Sequence, residues 1–317
     1  MPSSPSLRLM LSAGEASGDK HAAALANALI KLQPESDLDL FGAGGDAMRA
    51  AGVDTMVDSR ELGVIGVAEI ARVLARAYRS YRKLIKTAHE RRAAGIVLVD
   101  WPDFNLRLAK RLHRDGFKII YYISPQVWAW KRYRLRTIRE NVDRMLVILP
   151  FEVDFYRNRG IKVDYVGHPL AETVRVTASR DEFCRRAKLD PAAPILALLP
   201  GSRDKEVHYH LPAMLDAASR LRGNPACENL QFVLPVAPTI DRAQVDEIAS
   251  AAMIDLTVIE RDAINALGHS ICAVVASGTA TVEAALLGVP MVIVYKGSEI
   301  NYRLIRPMIH LDTFGMV

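Results

Sequence analysis

The sequence predicts an α/β protein built from two doubly wound domains, and three observations carry that prediction. Short apolar runs rich in Val, Ile and Leu alternate with longer amphipathic stretches along the whole chain. Such alternation builds βαβ units, and strands apolar on both sides belong to parallel sheets covered by helices on each face. The runs fall into two consecutive sets of about five, and 317 residues at ~150 per domain make about two domains.

In the first half the strand-like runs are 7–13, 38–42, 96–100, 118–123 and 145–149, with helical patterns at 21–31, 67–92 and 106–114. In the second half they are 195–199, 230–236, 256–259, 271–276 and 291–295. The pattern breaks at Gly167-His168-Pro169, before a charged helix at 180–188, which predicts domains at 1–170 and 171–317. No short-period repeat interrupts either half.

Half the residues are hydrophobic and 24% are charged, which excludes a disordered, collagenous or disulfide-scaffold chain. Cys184, Cys227 and Cys272 are far apart in sequence, so they fit a reducing compartment and offer no zinc motif. No run reaches the ~18 apolar residues of a membrane span. The N-terminus carries Arg8 in its only apolar stretch, so no secretory signal is expected and the protein is placed in the cytosol. Residues 1–170 hold 27 Lys/Arg against 19 Asp/Glu, a net +8, while 171–317 hold 14 against 17, a net −3. The basic half suits an anionic partner: nucleic acid, an anionic membrane surface or a phosphorylated substrate.

Ligands of open α/β sheets bind beyond the carboxyl ends of the strands, so chemistry is sought in the strand-end loops. The first reads Ser12-Ala13-Gly14-Glu15-Ala16-Ser17-Gly18-Asp19. Its glycines do not make the dinucleotide fingerprint, which argues against a NAD-dependent oxidoreductase. It is either a tight turn with Ser17 or Asp19 capping the next helix, or a grip of Glu15, Ser17 and Asp19 on a substrate's hydroxyls or amide.

A second loop, Val99-Asp100-Trp101-Pro102-Asp103-Phe104-Asn105, places two carboxylates around Trp-Pro. Asp103 fits a helix cap. Asp100 adjoins the apolar strand, where partial burial would raise its pKa toward that of a general base.

The next, Ser124-Pro125-Gln126-Val127-Trp128-Ala129-Trp130, runs into Lys131, Arg132, Tyr133, Arg134 and Arg136. Its aromatics can stack on bases or sugar faces; a packed loop ahead of a solvated basic helix explains it equally well. The basic residues do not extend into the second half, which argues against nucleic acid.

In the second half Leu199-Pro200-Gly201-Ser202-Arg203 joins a strand to a helix starting near Asp204. Loop amides and the guanidinium of Arg203 suit a diphosphate. Ala276-Ser277-Gly278-Thr279-Ala280-Thr281-Val282-Glu283 makes a similar junction. There Gly278 permits close backbone approach, Ser277 and Thr279 offer hydroxyls, and Glu283 can accept from a ribose diol.

From Arg72 to Arg92 there are eight Lys/Arg and only Glu90 as an acid. Arg72, Arg76, Arg79, Lys83 and Lys86 lie on one helical stripe, with Val73, Leu74, Ala77, Tyr81, Leu84 and Ile85 on the other side. A surface helix explains the apolar side; the near-absence of acids suits anionic lipid headgroups. Upstream, the apolar stretch 62–68 reads as a buried turn or an acyl-chain contact.

These motifs, in this order and with Leu149-Pro150-Phe151-Glu152 and Gly167-His168-Pro169, resemble those of the lipid-A-disaccharide synthases over essentially the whole chain. One departure is His21-Ala22-Ala23-Ala24, where the family usually has a glycine shortly after the aspartate. The resemblance implies a GT-B fold, two Rossmann-like domains with a cleft between them. It implies an inverting transfer from UDP-2,3-diacylglucosamine to 2,3-diacylglucosamine 1-phosphate (lipid X), giving a β-1,6 disaccharide and UDP.

Carried onto this chain, Asp100 and Asp103 are the catalytic residues, with Asp100 as the base. Gly201, Ser202, Arg203, Ser277, Gly278, Thr279 and Glu283 hold the nucleotide sugar. Glu15, Ser17, Asp19, Asn105 and Trp128 meet the acceptor. No metal or other cofactor is expected, nor a nucleic-acid partner, and a homo-oligomer is compatible with the resemblance.

The implied location is the cytoplasmic face of the inner membrane of a Gram-negative bacterium, peripherally attached through 72–92. The family continues past the last strand and its helix, so the end at Thr313-Phe314-Gly315-Met316-Val317 carries the expectation of a C-terminally shortened member of open activity. Competing readings are another UDP-sugar enzyme of the same fold, such as a UDP-N-acetylglucosamine epimerase, and a truncated chain that binds nucleotide or membrane without turnover.

Overall fold

The computed structural model describes residues 7–33, 38–58, 70–129, 131–252 and 254–296, with the backbone alone at 15–16 and 70–73. The apolar stretch 62–68, Trp130 and residues 297–317, which include the C-terminal pentapeptide, lie outside the described residues, as do the side chains of Glu15, Arg72 and Val73. The chain divides into two compact units at Pro169/Leu170.

The first unit runs β1 (Leu7–Ala13), α1 (Glu15–Leu32), β2 (Leu38–Gly44), α2 (Asp46–Ala50), β3 (Asp54–Asp58), α3 (Ile70–Glu90), β4 (Gly95–Val99), α4 (Pro102–Arg114), β5 (Ile119–Tyr122), α5 (Arg134–Asn141), β6 (Arg144–Val147), α6 (Pro150–Arg157) and β7 (Val163–Tyr165). Its sheet has the order β3-β2-β1-β4-β5-β6-β7, with every pairing parallel.

Strand β4 shows why such runs are wholly apolar. Ile96 and Leu98 enter one core, with Met10, Tyr121 and the helices α3 and α4. Val97 and Val99 enter the other, with Leu11, Ala13 and the α1 alanines Ala22, Ala23 and Ala26. The alanines after Asp19 thus let α1 lie close on the sheet. Strands β3 and β7 carry no apolar run; they are short edge strands whose Asp54, Asp164 and Tyr165 face solvent.

Helix α3 buries Leu84 and Ala88 and packs Ala77, Tyr81 and Ile85 against the first core. Leu74 departs from the expected pattern: it is 59% exposed, and Tyr78 one turn later is 60% exposed. Among the described residues no helix is long and apolar enough to cross a membrane.

The second unit runs α7 (Arg180–Ala187), β8 (Ile195–Leu199), α8 (Asp204–Arg222), β9 (Gln231–Val236), α9 (Arg242–Ala251), β10 (Leu256–Glu260), α10 (Ala263–Gly268), β11 (Cys272–Ala276), α11 (Thr279–Leu286) and β12 (Met291–Val294). The strands pair in parallel in the order β10-β9-β8-β11-β12. Again the central strand splits its side chains: Ile195, Ala197 and Leu199 go to one core, Leu196 and Leu198 to the other. Each sheet reverses its winding beside its first strand, between β1 and β4 and between β8 and β11. The carboxyl ends at these switch points are where the loops of interest emerge.

Candidate functional site

In the first unit Ala13 pairs with Val99 in register, so Gly14 and Asp100 leave the sheet side by side. Asp100 (φ 48°) and Trp101 (φ 52°) are consecutive left-handed residues, a strained conformation for side chains with a Cβ. The fold holds this elbow through its main chain. The Asp100 N–H donates to the Tyr122 carbonyl (3.0 Å). Its own carbonyl accepts from the Tyr121 hydroxyl (2.6 Å) and from Asn105 Nδ2 (2.8 Å). Asp100 is half-buried at the switch point.

The Trp101 ring stacks on Phe104 (centroids 4.2 Å apart, 14° between planes) and lies over Gly14. A Cβ on Gly14 would meet that ring at 2.2 Å, so glycine is required here by the close approach. Phe104 in turn meets Tyr81 of α3 edge-on at 6.4 Å.

Asn105, expected to meet an acceptor, is fully buried. Its Oδ1 accepts from Ser12 Oγ (2.7 Å), and its Nδ2 faces the carbonyls of Ser12 (3.1 Å), Val99 (3.3 Å) and Asp100. It clamps the ends of β1 and β4 together. Asp19 is buried as well. Its oxygens accept from the N–H groups of Gly45 (2.7 Å), Ala47 (2.9 Å) and Met48 (3.2 Å), capping α2 rather than reaching outward. Ser17 is exposed on the first turn of α1.

Asp103 does not cap α4. It pairs with the buried Arg134 and with Lys131 (3.5 Å), tying α4 to the loop after β5. Burial alone would raise the Asp103 carboxyl, but the charges and hydrogen bonds of Arg134 and Lys131 hold it below the usual range. Of the cationic residues after the aromatic loop, Arg134 is buried against Asp103, whereas Arg136 is exposed and pairs with Glu140 at 2.8 Å.

The aromatic loop itself is pinned by a residue the motif reading did not single out for chemistry. Glu152, 2% exposed, accepts from Ser124 Oγ (2.5 Å), Trp128 Nε1 (3.2 Å) and the Leu149 N–H (3.2 Å). Burial pushes its carboxyl up despite those bonds. The half-buried Trp128 ring meets Phe151 edge-on at 5.0 Å. The readable signal was Leu149-Pro150-Phe151-Glu152: proline opens a helix and a glutamate in its first turn reaches back to the preceding amide.

In the second unit Gly201 (φ 125°) turns the chain between β8 and α8. Glu206 lies against this turn: it accepts from the Ser202 N–H (2.9 Å) and pairs with Arg203 (3.1 Å), whose side chain is 77% exposed. Here the fold already places a carboxylate at one loop amide expected to meet a phosphate. Across the switch point, the Ser277 N–H donates to the Val294 carbonyl (2.9 Å). Gly278 is extended, and an added Cβ there would meet only the Ala276 carbonyl, at 4.0 Å. Thr279 is exposed, and half-buried Glu283 has its carboxyl pushed up by burial. Among the described residues no cluster of three or more His, Cys, Asp or Glu is placed to hold a metal ion.

Comparison with known proteins supplies the family. The family model for lipid-A-disaccharide synthetase matches residues 9–317. The lipid-A-disaccharide synthase of Koribacter versatilis (strain Ellin345) is 46% identical over 314 residues, 98% of this chain and 80% of that protein. That of Myxococcus xanthus (strain DK1622) is 45% identical over 310 residues, again 98% and 80%. The crystal structure of UDP-GlcNAc 2-epimerase from Neisseria meningitidis bound to UDP-GlcNAc superposes with a TM-score of 0.61. It covers 94% of this chain and 85% of that one, but at 10% identity the likeness establishes the fold alone. The α/β fold of two Rossmann-like sheets is that of the GT-B class, and the chain belongs to the lipid-A-disaccharide synthase family.

Proposed function

We propose that this glycosyltransferase of lipid A biosynthesis uses Asp100 as the base that activates its acceptor. The reaction joins UDP-2,3-diacylglucosamine to the 6-hydroxyl of lipid X. The Asp100 carboxylate takes the hydroxyl proton as the oxygen attacks the anomeric carbon. The bond from that carbon to the diphosphate breaks, and its electron pair leaves with UDP. One displacement inverts the anomeric centre, by the logic that separates inverting from retaining glycoside chemistry. The observation that carries this reading is the elbow: strain at consecutive left-handed residues is kept where it serves a site, and here one of the two residues at the switch point is an aspartate.

The remaining roles follow from exposure. Asn105, Asp19 and Asp103, expected among the contacting residues, act instead by holding the elbow and its neighbours in place. Ser17, Trp128 and Glu15 are assigned to the acceptor. Gly201, Ser202 and Arg203 are assigned to the diphosphate. There the donor's phosphates compete with Glu206 for the guanidinium, and developing negative charge on UDP meets fixed positive groups. Ser277, Gly278 and Thr279 line the second loop, and Glu283 accepts from the ribose. An epimerase reading has only distant fold likeness behind it.

The acceptor is acylated and phosphorylated, and α3 supplies a fitting surface. Leu74 and Tyr78 are exposed beside the exposed Arg79, Arg82, Lys83 and Lys86. We assign this helix to the cytoplasmic face of an anionic membrane, where apolar insertion and headgroup attraction add. Incubating the purified chain with UDP-2,3-diacylglucosamine and lipid X tests the reading as a whole. UDP and disaccharide should appear together; UDP release without disaccharide would overturn the acceptor assignment. Co-sedimentation with anionic but not zwitterionic vesicles tests the helix.

A further inference from the structure

We propose that His210 is a positioning residue for the UDP-sugar site, an uncharged imidazole strut that sets the spacing of the two nucleotide loops. The inference rests on the assignment of those loops to the donor.

His210 lies on α8 and is 2% exposed. Its Nδ1 is 2.8 Å from the Pro200 carbonyl, and its Nε2 is 2.9 Å from the Lys296 main-chain nitrogen. A carbonyl only accepts and an amide N–H only donates. The two partners therefore dictate the ring's state: Nδ1 carries the proton, Nε2 accepts, and the imidazole is neutral.

Its placement gives the strut a purpose. Pro200 ends β8 and leads directly into Gly201, Ser202 and Arg203. Lys296 follows β12, whose Val294 carbonyl holds the Ser277 N–H at 2.9 Å. In the sheet β11 lies between β8 and β12. The bridge from Pro200 through His210 to Lys296 therefore joins the segments on either side of the β11 end, where Ser277, Gly278 and Thr279 begin. Packing alone does not call for a histidine here: an apolar side chain would fill a buried helix position without needing hydrogen bonds. What a histidine adds is a rigid link between one main-chain acceptor and one donor.

The test compares His210→Phe, which keeps a ring and removes both bonds, with His210→Asn and His210→Gln, each able to restore one. The strut predicts that His210→Phe raises the KM for the UDP-sugar and the Kd for UDP about tenfold, as loss of buried hydrogen bonds would. It also predicts that kcat stays within about threefold and that the KM for lipid X is unchanged, since a uniform binding loss falls on one substrate. Asn or Gln should recover part of the UDP affinity.

Wild-type UDP affinity in His210→Phe overturns the proposal, whatever its thermal stability. Should His210→Phe not fold, wild-type UDP affinity in both amide variants overturns it. Arg203→Ala separates the two levels. If UDP binding is unaffected by Arg203→Ala, the donor-site assignment fails and the strut with it. If Arg203→Ala weakens binding and the His210 variants do not, the strut alone fails.

Discussion

The two units share a topology around their switch points but hold their site loops in opposite ways. In the first, the Asp100–Trp101 elbow is locked from beneath by the buried Asn105 and Tyr121 and from above by the packing of Trp101 over Gly14. In the second, the loops end in exposed groups, Arg203 and Thr279, and a carboxylate from Glu206 lies where a ligand's anion is proposed to sit. The difference matches the tasks proposed for them. A base must be oriented before the reaction, because misplacement by about 1 Å costs ~100-fold in rate. A diphosphate clamp must stay reachable and can reorganise as the ligand arrives.

The sharpest way to break that contrast is to disturb the packed side. Gly14→Ala puts a methyl group 2.2 Å from the Trp101 ring, so the indole must move. Overpacking of this kind costs about 1–3 kcal/mol, and turnover should fall ~100-fold while UDP binding is spared. Thermal unfolding and kcat measured together check it; wild-type values for both would show that the elbow is not rigid.

On the exposed side, Arg203→Ala should weaken UDP binding about 10- to 100-fold with a minor change in thermal stability, read by calorimetry. The Glu283 carboxyl, pushed up by burial, must ionise to accept well from a ribose diol. UDP affinity should therefore decline as pH falls through its raised value, and Glu283→Gln should flatten that decline.

The smallest effect belongs to Asp103, whose side chain is 72% exposed. Its lowered pKa means the ion pair's contribution is present above the ordinary carboxylate value and disappears as pH falls through the folded-state value. Asp103→Asn should cost less than about 1 kcal/mol at neutral pH and nothing in strong acid. A loss of turnover as large as that of an Asp100 variant would return Asp103 to the reaction itself.

How much of this was legible in the sequence follows from what each residue's signal depends on. The buried strands were readable because both faces of β1, β4 and β8 demand apolar side chains. Strands β3 and β7 were not, since edge strands of three to five residues have only one neighbour and carry charges. The elbow was readable as two carboxylates flanking Trp-Pro, with Asp100 the better base by its place beside the apolar strand, yet the partner of Asp103 was not. Whether Asp103 meets substrate or Arg134 depends on a helix 31 residues away in sequence, and Asn105's burial depends on Ser12, 93 residues away. Glu152 and His210 escaped for the same reason: a buried polar side chain is identified by partners that only folding assembles.

The central claim is that Asp100 removes the acceptor proton. Asp100→Asn, which keeps shape and removes the base, tests it most directly in a single-turnover assay of disaccharide formation run beside UDP calorimetry. The account predicts a rate lowered by about 10²–10⁴-fold with UDP affinity unchanged. Disaccharide formed at the wild-type rate by Asp100→Asn would contradict it.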